Sequence, residues 1–147
     1  MSPLRNILDE KGPSIHTAEP STTILDAIER MCGAKIAALL VTEQDVPVGI
    51  VSEGDVMKRV LLQRLDPSTT PIAEIMSTDL VCIDVDAGAE TAMSVMTTRR
   101  CHHLPVVCSG RVVGIVSMDD VVNWAIQDKD YEIRTLREYV SGVYIGG

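Results

Sequence analysis

The sequence predicts an α/β (α+β) fold made of two repeats of β-α-β-β-α order, packed with pseudo-twofold symmetry, and a C-terminal helical tail. The first observation is an internal repeat: the segment 49–56, GIVSEGDV, returns 65 residues later as 114–121, GIVSMDDV. Carried over residues 16–59, this offset gives eleven identical pairs, where about two or three would arise by chance. The second observation is that 147 residues, 46% of them hydrophobic, suit one ordinary domain or two very small ones.

The spacing of apolar residues predicts the elements of the first repeat. From Ile24 to Met31 they recur at i, i+3, i+4 and i+7, which indicates a helix, and Thr23 with Asp26 has capping-box spacing at its start. The predicted elements are a helix ending at Gly33, buried strands over 36–41 and 46–51 around a turn at 43–45, and a helix over 52–65. In the last helix, we expect four apolar residues on one face: Val56, Val60, Leu61 and Leu65.

The second repeat is predicted in the same way, with a hairpin turn at Ser109-Gly110. Its elements are a short helical turn over 72–76, strands over 80–83, 103–108 and 111–116, and helices over 89–98 and 117–126. The predicted domain boundaries are repeat 1 at 7–65, a linker at 66–71, repeat 2 at 72–126 and the tail at 127–147. Within the tail, we expect a charged helix over 128–139 and an apolar stripe of Ile133, Leu136 and Val140.

Charge and composition exclude several classes of partner. The net charge of −8 disfavours nonspecific binding to nucleic acid or an anionic membrane surface, because the long-range field repels phosphate. Aromatic residues make up only 3%, so a base-stacking surface for single strands is not expected. We see no secretory signal and no apolar stretch of membrane-spanning length, and therefore expect a cytoplasmic protein with free cysteines.

Each repeat carries the motif Gly-h-h-Ser-x-x-Asp-h, where h is apolar, at the junction of a strand and a helix. One interpretation is a capping box, in which Ser accepts from a backbone N–H and Asp favours the positive end of the helix. The other is a ligand site, because a helix N-terminus with a hydroxyl binds phosphate and a carboxylate can accept hydrogen bonds from a ribose diol. The candidate residues are Ser52 and Asp55 in repeat 1, and Ser117 and Asp120 in repeat 2.

A basic segment, Arg99-Arg100-Cys101-His102-His103, precedes a buried strand of the second repeat. Arginine grips phosphate through a bidentate fork, and protonated histidine adds charge. The alternative is a solvated helix end whose positive charge complements the dipole. The corresponding stretch of repeat 1 has one cation, Lys35, which indicates one competent site and one weak or empty one. Zinc is a further alternative at Cys101, His103 and Cys108, but the spacing matches no structural zinc pattern, and no catalytic motif is present.

The tandem repeat, its two motifs and the strand His103-Leu104-Pro105-Val106 resemble a pair of CBS domains, named for cystathionine β-synthase and often called a Bateman module. The resemblance covers about residues 7–126. More narrowly, Lys11-Gly12 and Glu74-Ile75-Met76-Ser77 are similar to segments of small stand-alone bacterial CBS-domain proteins. Such proteins commonly have Arg where this chain has Gly54, and Arg at one of the two positions that His102 and His103 occupy here, so two phosphate contacts differ.

The resemblance implies a regulatory or sensing module rather than an enzyme. Its ligand would be an adenosine compound (AMP first, or ADP, ATP, an NAD-type cofactor or S-adenosylmethionine) in the cleft between the repeats, with no metal. The implied site residues are Asp55 and Asp120 on ribose, Ser52 and Ser117 by the phosphate or ribose, Ile15, His16, Leu80 and Val81 around the base, and Arg100, His102 and His103 towards phosphate. A homodimer is expected, with an unidentified protein partner as a further expectation. The alternative function is a dimerisation or protein-interaction module with degenerate ligand sites.

Overall fold

The computed structural model describes residues 3–12 and 15–128. The elements in chain order are α1 (Leu4–Lys11), β1 (Thr17–Ala18), α2 (Ile24–Ala34), β2 (Ala38–Glu43), β3 (Val46–Ser52), α3 (Glu53–Asp55), a π-helical segment (Val56–Leu61), a 3₁₀ turn (Ile72–Glu74), β4 (Ile83–Asp84), α4 (Ala89–Arg99), β5 (His103–Cys108), β6 (Arg111–Ser117) and α5 (Met118–Asp128). The described residues form two compact units, one within residues 14–82 and the other comprising residues 3–12 together with 83–128.

The unit of residues 14–82 contains a three-stranded sheet of order β1-β2-β3. β1 is parallel to β2, and β2 is antiparallel to β3, with Ala38 opposite Ser52. Helix α2 begins where the Thr23 side chain accepts a hydrogen bond from the Asp26 backbone N–H at 3.2 Å. The buried core of this unit is Ala18, Ile24, Ala27, Met31, Leu39, Val41, Val51, Val60, Ile72 and Ile75.

Two sequence predictions in this unit are wrong. Gly33 does not end α2: the helix continues to Ala34, and the left-handed residue is Lys35, with φ 56° and its N–H bonded back to the last turn. Leu61 does not face the core and is 69% exposed. The cause is the π-helical winding after Asp55, seen also in the i→i+5 bond from Leu65 N–H to the Val60 carbonyl. This wider turn directs Val60 and Leu65 to the core and Leu61 outward.

The other unit repeats this topology with a sheet of order β4-β5-β6. Strand β5 is antiparallel to β6, with His103 opposite Ser117, and the turn between them is the predicted Ser109-Gly110, whose φ angles are 51° and 78°. The predicted strand over 80–83 is shorter than expected, because only Ile83 and Asp84 pair with β5. The buried apolar residues are Leu4, Ile7, Ile83, Val85, Ala89, Ala92, Met96, Leu104, Val106, Val116 and Val121.

Helix α1, which the sequence analysis did not predict, belongs to this second unit. Leu4 and Ile7 are buried, and the Leu4 backbone N–H donates to the Ala87 carbonyl at 2.8 Å. Leu8 lies directly over Gly114 of β6, where an added Cβ would be 2.6 Å from the Leu8 Cδ2. The missing side chain of Gly114 therefore leaves the space in which α1 docks.

The predicted fold class is confirmed, since each unit has the order β-α-β-β-α. The predicted tail helix and the stripe of Ile133, Leu136 and Val140 lie outside the described residues. The turn predicted at 43–45 is present, with positive φ at Gln44 and Asp45. Strand β2 begins two residues later than predicted, at Ala38.

Candidate functional site

Ser52 and Asp55 form the predicted capping box at the start of α3. The Ser52 Oγ accepts from the Asp55 backbone N–H at 3.3 Å. The Asp55 Oδ2 accepts two hydrogen bonds, from the Ser52 N–H at 2.9 Å and from the Ser52 hydroxyl at 3.1 Å. The Asp55 Oδ1 accepts neither of them and is 4.0 Å from the Arg59 Nε. The carboxylate, with 15% of its side chain exposed, is thus held through one oxygen.

Asp120 is held in the same way at the start of α5. Its Oδ2 accepts from the Ser117 N–H at 2.9 Å, and its own N–H donates to the Ser117 Oγ at 3.1 Å. In addition, the Lys11 ammonium donates to this Oδ2 at 2.7 Å and to the Ile115 carbonyl at 3.0 Å. Burial raises the pKa of Asp120, but the hydrogen bonds from Lys11 and Ser117 outweigh it, so the pKa lies below its ordinary value. Asp120 is therefore an anchored, ionised carboxylate at neutral pH.

The predicted basic segment lies beside the Asp120 motif in the same unit. Arg100 caps the end of α4 in the left-handed conformation, with φ 54°. His103 is opposite Ser117 in the antiparallel ladder, and the His102 carbonyl accepts from the Met118 N–H at 2.9 Å. The backbone therefore brings Arg100, His102, His103, Ser117 and Asp120 to one corner of this unit. The matching corner of the other unit has Lys35, Ala37 and Ala38, with Ala38 opposite Ser52.

The four residues predicted to frame a base are all in the unit of residues 14–82. Ile15 and His16 directly precede β1, and the His16 carbonyl accepts from the Leu40 N–H at 3.3 Å. Because Thr17 is level with Leu40, the parallel register carries Ile15 to the level of Ala38, next to Ser52. Leu80 and Val81, both half-buried, follow the short pairing of Ser77 with Ile50. The assignment of these residues to a base stays a prediction.

Each unit also has a cleft of its own. In the unit of residues 14–82, a cleft of about 420 Å³ is lined by apolar residues of α2 and the π-helical segment, with Lys35 and Glu53 among its polar residues. It adjoins the Ser52 motif, because the Glu53 N–H donates to the Ala37 carbonyl. A cleft of about 310 Å³ in the other unit lies between α1 and the β5–β6 hairpin, beside Arg5 and Cys108. None of the eleven predicted site residues lines either of these clefts.

Sequence reasoning did not find the role of Lys11 at the Asp120 motif. Lys11 was noted only within the pair Lys11-Gly12, and it is 109 residues from Asp120 in sequence. The available signal was the helical spacing of Leu4, Ile7 and Leu8, which would place Lys11 one turn further on the same face.

In the part of the chain that the structure describes, no group of three or more His, Cys, Asp or Glu side chains is arranged to hold a metal ion. No described helix has the length and apolar character needed to span a bilayer. The four cysteines are free thiols, and burial raises the pKa of Cys82 and Cys101.

Comparison with known families assigns both repeats. The family model described as the CBS domain matches residues 11–62 and again residues 72–126. The chain belongs to the CBS-domain family. The tandem match makes it a CBS-domain pair, which is a regulatory module, as the sequence analysis predicted.

Two curated relatives show how this CBS-domain pair compares with longer and shorter proteins. The CBS domain-containing protein YhcV of Bacillus subtilis is 30% identical over 118 residues, which cover 80% of this chain and 84% of that protein. The mitochondrial CBS domain-containing protein CBSX3 of Arabidopsis thaliana is 29% identical over 127 residues, covering 83% of this chain. The match spans only 62% of the length of CBSX3.

Solved structures show the same fold. A protein with CBS domains from Burkholderia ambifaria is 31% identical, with a TM-score of 0.80 over 87% of this chain and 94% of that one. The CBS domain pair of protein MJ0100, solved with 5′-methylthioadenosine and S-adenosyl-L-methionine, has a TM-score of 0.76 over 87% of this chain and 98% of that one. At 24% identity, the second likeness shows the fold alone.

Proposed function

We propose that this CBS-domain pair is a non-catalytic sensor that binds an adenosine-containing ligand, with AMP as the first candidate. The observation that carries the proposal is the shared geometry of the two motifs. In each, an aspartate is fixed through Oδ2 by the backbone N–H of the motif serine, so that Oδ1 is the oxygen that a ligand hydroxyl would meet. A carboxylate has about four acceptor sites, so one fixed in this way still has acceptor capacity for a ribose diol.

Two further observations support an adenosine compound. The basic residues Arg100, His102 and His103 share a corner with Asp120. This arrangement suits a ligand whose diol contacts the carboxylate and whose phosphate contacts the basic residues. The protein MJ0100, which has the same fold, was solved with two adenosine-containing ligands.

The experiment is isothermal titration of the purified chain with AMP, ADP, ATP, NAD and S-adenosylmethionine. We expect saturable binding of at least one of them and its loss or strong reduction in Asp120→Asn, which keeps the size of the side chain but not its charge. Asp119→Asn is the matched control, because Asp119 is exposed and adjacent. Wild-type affinity in Asp120→Asn would refute the assignment of the ribose to this carboxylate.

A specific observation also favours the second candidate function, self-association. Three large apolar side chains lie exposed on or next to the π-helical segment: Met57 at 64%, Leu61 at 69% and Leu62 at 78%. Exposed apolar clusters of this kind mark interaction surfaces. We propose that a second copy of this chain covers them in a homodimer.

Analytical ultracentrifugation tests the dimer. Leu61→Lys should shift the wild-type dimer to monomer, whereas Val46→Lys, a similar change at a 58% exposed residue of β3, should not. A wild-type chain that sediments as a monomer at all concentrations would refute the proposal.

A cytoplasmic location stays part of the proposal, supported by the four free thiols, and cell fractionation tests it. Affinity purification from the source cell tests for an additional protein partner.

A further inference from the structure

The two motifs differ in the cation that accompanies each aspartate. At Asp120, the Lys11 ammonium contacts Oδ2, the oxygen already used for capping, at 2.7 Å. At Asp55, the Arg59 Nε is 4.0 Å from Oδ1, the other oxygen, while its guanidinium donates to the carbonyls of Ile75 and Met76. Among the described residues, Lys11 contacts Oδ2 of Asp120, whereas Arg59 lies on the Oδ1 side of Asp55.

Lys11 also has a spare donor. An ammonium has three N–H groups, and two of them are directed at the Asp120 Oδ2 and the Ile115 carbonyl. The Lys11 side chain as a whole is 43% exposed. Lys11 is held in place by α1, whose Leu4 and Ile7 are buried in the same unit.

The charge of Lys11 matters for a phosphorylated ligand. The 5′-phosphate and the diol of a nucleotide belong to one ribose, so the phosphate lies within about one Debye length, roughly 8 Å, of the carboxylate that holds the diol. An isolated Asp120 would repel that phosphate. Because Lys11 is in direct contact with Asp120, it cancels this repulsion without withdrawing the carboxylate from the diol.

We propose that Lys11 is a specificity-determining residue of the Asp120 motif, which makes this motif prefer phosphorylated nucleosides to unphosphorylated ones. This inference rests on the proposed function and adds a residue from outside both motifs and the basic segment. It also assigns the phosphorylated ligand to the Asp120 motif rather than to the Asp55 motif. Among the described residues, no lysine or arginine contacts the Oδ2 of Asp55.

The test compares the affinities of AMP and adenosine, which differ only in the phosphate, for the full chain. We expect the wild type to prefer AMP by about tenfold, the effect of one charge at a half-exposed site. In Lys11→Met the preference should fall to within about twofold, chiefly by weaker AMP binding. Lys11→Arg should retain it, as should the control Lys58→Met, which removes an exposed cation of the π-helical segment.

The outcomes separate this inference from the function on which it rests. If the wild type binds neither AMP nor adenosine, the proposed function fails and this inference with it. If both bind and Lys11→Met keeps the wild-type ratio, Arg100 and the histidines account for the phosphate and the role of Lys11 is refuted. Tighter AMP binding by Lys11→Met also refutes it, since Lys11 would then block the site. Lys11→Gln is the second neutral variant, should Lys11→Met not fold.

Discussion

Replacing Gly49 by Ala should destabilise the protein more than the equivalent replacement of Gly114. An added Cβ at Gly49 would lie 2.6 Å from the Met76 Sδ, 2.9 Å from its Cγ and 3.0 Å from the Ser77 carbonyl oxygen. That oxygen accepts from the Ile50 N–H at 3.0 Å, while the Ser77 N–H donates to the Ile50 carbonyl at 2.9 Å. The backbone at Ser77 therefore cannot retreat without lengthening two hydrogen bonds.

The magnitude follows from these contacts. Overpacking of a well-packed site costs about 1–3 kcal/mol, and the loss of glycine's freedom in the unfolded chain offsets about 0.4–1 kcal/mol of it. We therefore expect Gly49→Ala to lower the free energy of unfolding by about 1–2 kcal/mol, which is roughly 3–8 °C in Tm at this chain length. At Gly114, the three atoms nearest to an added Cβ all belong to the Leu8 side chain, whose terminal methyls can rotate, so the expected loss is less than about 1 kcal/mol.

Circular dichroism melting and urea titration of the two variants measure the difference. The wild type and both alanine variants are compared at one protein concentration, because self-association would change Tm. A Gly49→Ala variant that melts within 1 °C of the wild type, or a Gly114→Ala variant that melts below Gly49→Ala, would show that the rigidity assigned to Ser77 is wrong.

Three further predictions concern the motifs and the thiols. Ser52→Ala should lower the free energy of unfolding by about 1 kcal/mol, because the substitution removes the side-chain cap of α3. Urea unfolding measures this change, and an unchanged midpoint would contradict the capping role. The folded-state pKa of Asp120 lies below its ordinary 3.8, so the stabilisation by Lys11 should be complete above about pH 5 and disappear as the pH falls through that lowered pKa. The difference in free energy of unfolding between the wild type and Lys11→Met should be about 0.2–1 kcal/mol at neutral pH, as for a half-exposed pair, and should vanish in acid. A difference independent of pH would refute the ion pair. Burial raises the pKa of Cys101, so alkylation of its thiol by iodoacetamide, followed by mass spectrometry, should rise about tenfold per pH unit between pH 7 and 9; a plateau below pH 8 would contradict this.

The turn at Ser109-Gly110, the start of α2 and the Ser52 motif were predictable because their signals are local. Ser109-Gly110 accounts for the two positive φ angles that the turn adopts, and Thr23 for the start of α2. The motif residues Ser52 and Asp55 are three apart, so their hydrogen bonds follow from a single helical turn.

The features that sequence reasoning missed depend on distant parts of the chain. Nothing near Lys11 in sequence reveals that Asp120 is its partner, and α1 is short for an isolated helix, so docking onto β6 stabilises it. Leu61 was misplaced because apolar spacing was read with the α-helical period, whereas the chain after Asp55 winds as a π-helix. Of the four apolar residues expected on one face, Val56, Val60 and Leu65 pack against the core, and Leu61 is left on the surface.

The way in which residues 3–12 join residues 83–128 in one compact unit has a consequence for the order in which the protein is made. The unit of residues 14–82 is continuous and has its whole sequence before the chain reaches β4. Helix α1 leaves the ribosome before β6 and Asp120, which are synthesised about a hundred residues later and which it contacts in the folded unit. Although it is made earlier, α1 is therefore fixed only after β6 is complete, and its apolar Leu4 and Ile7 stay uncovered throughout that interval.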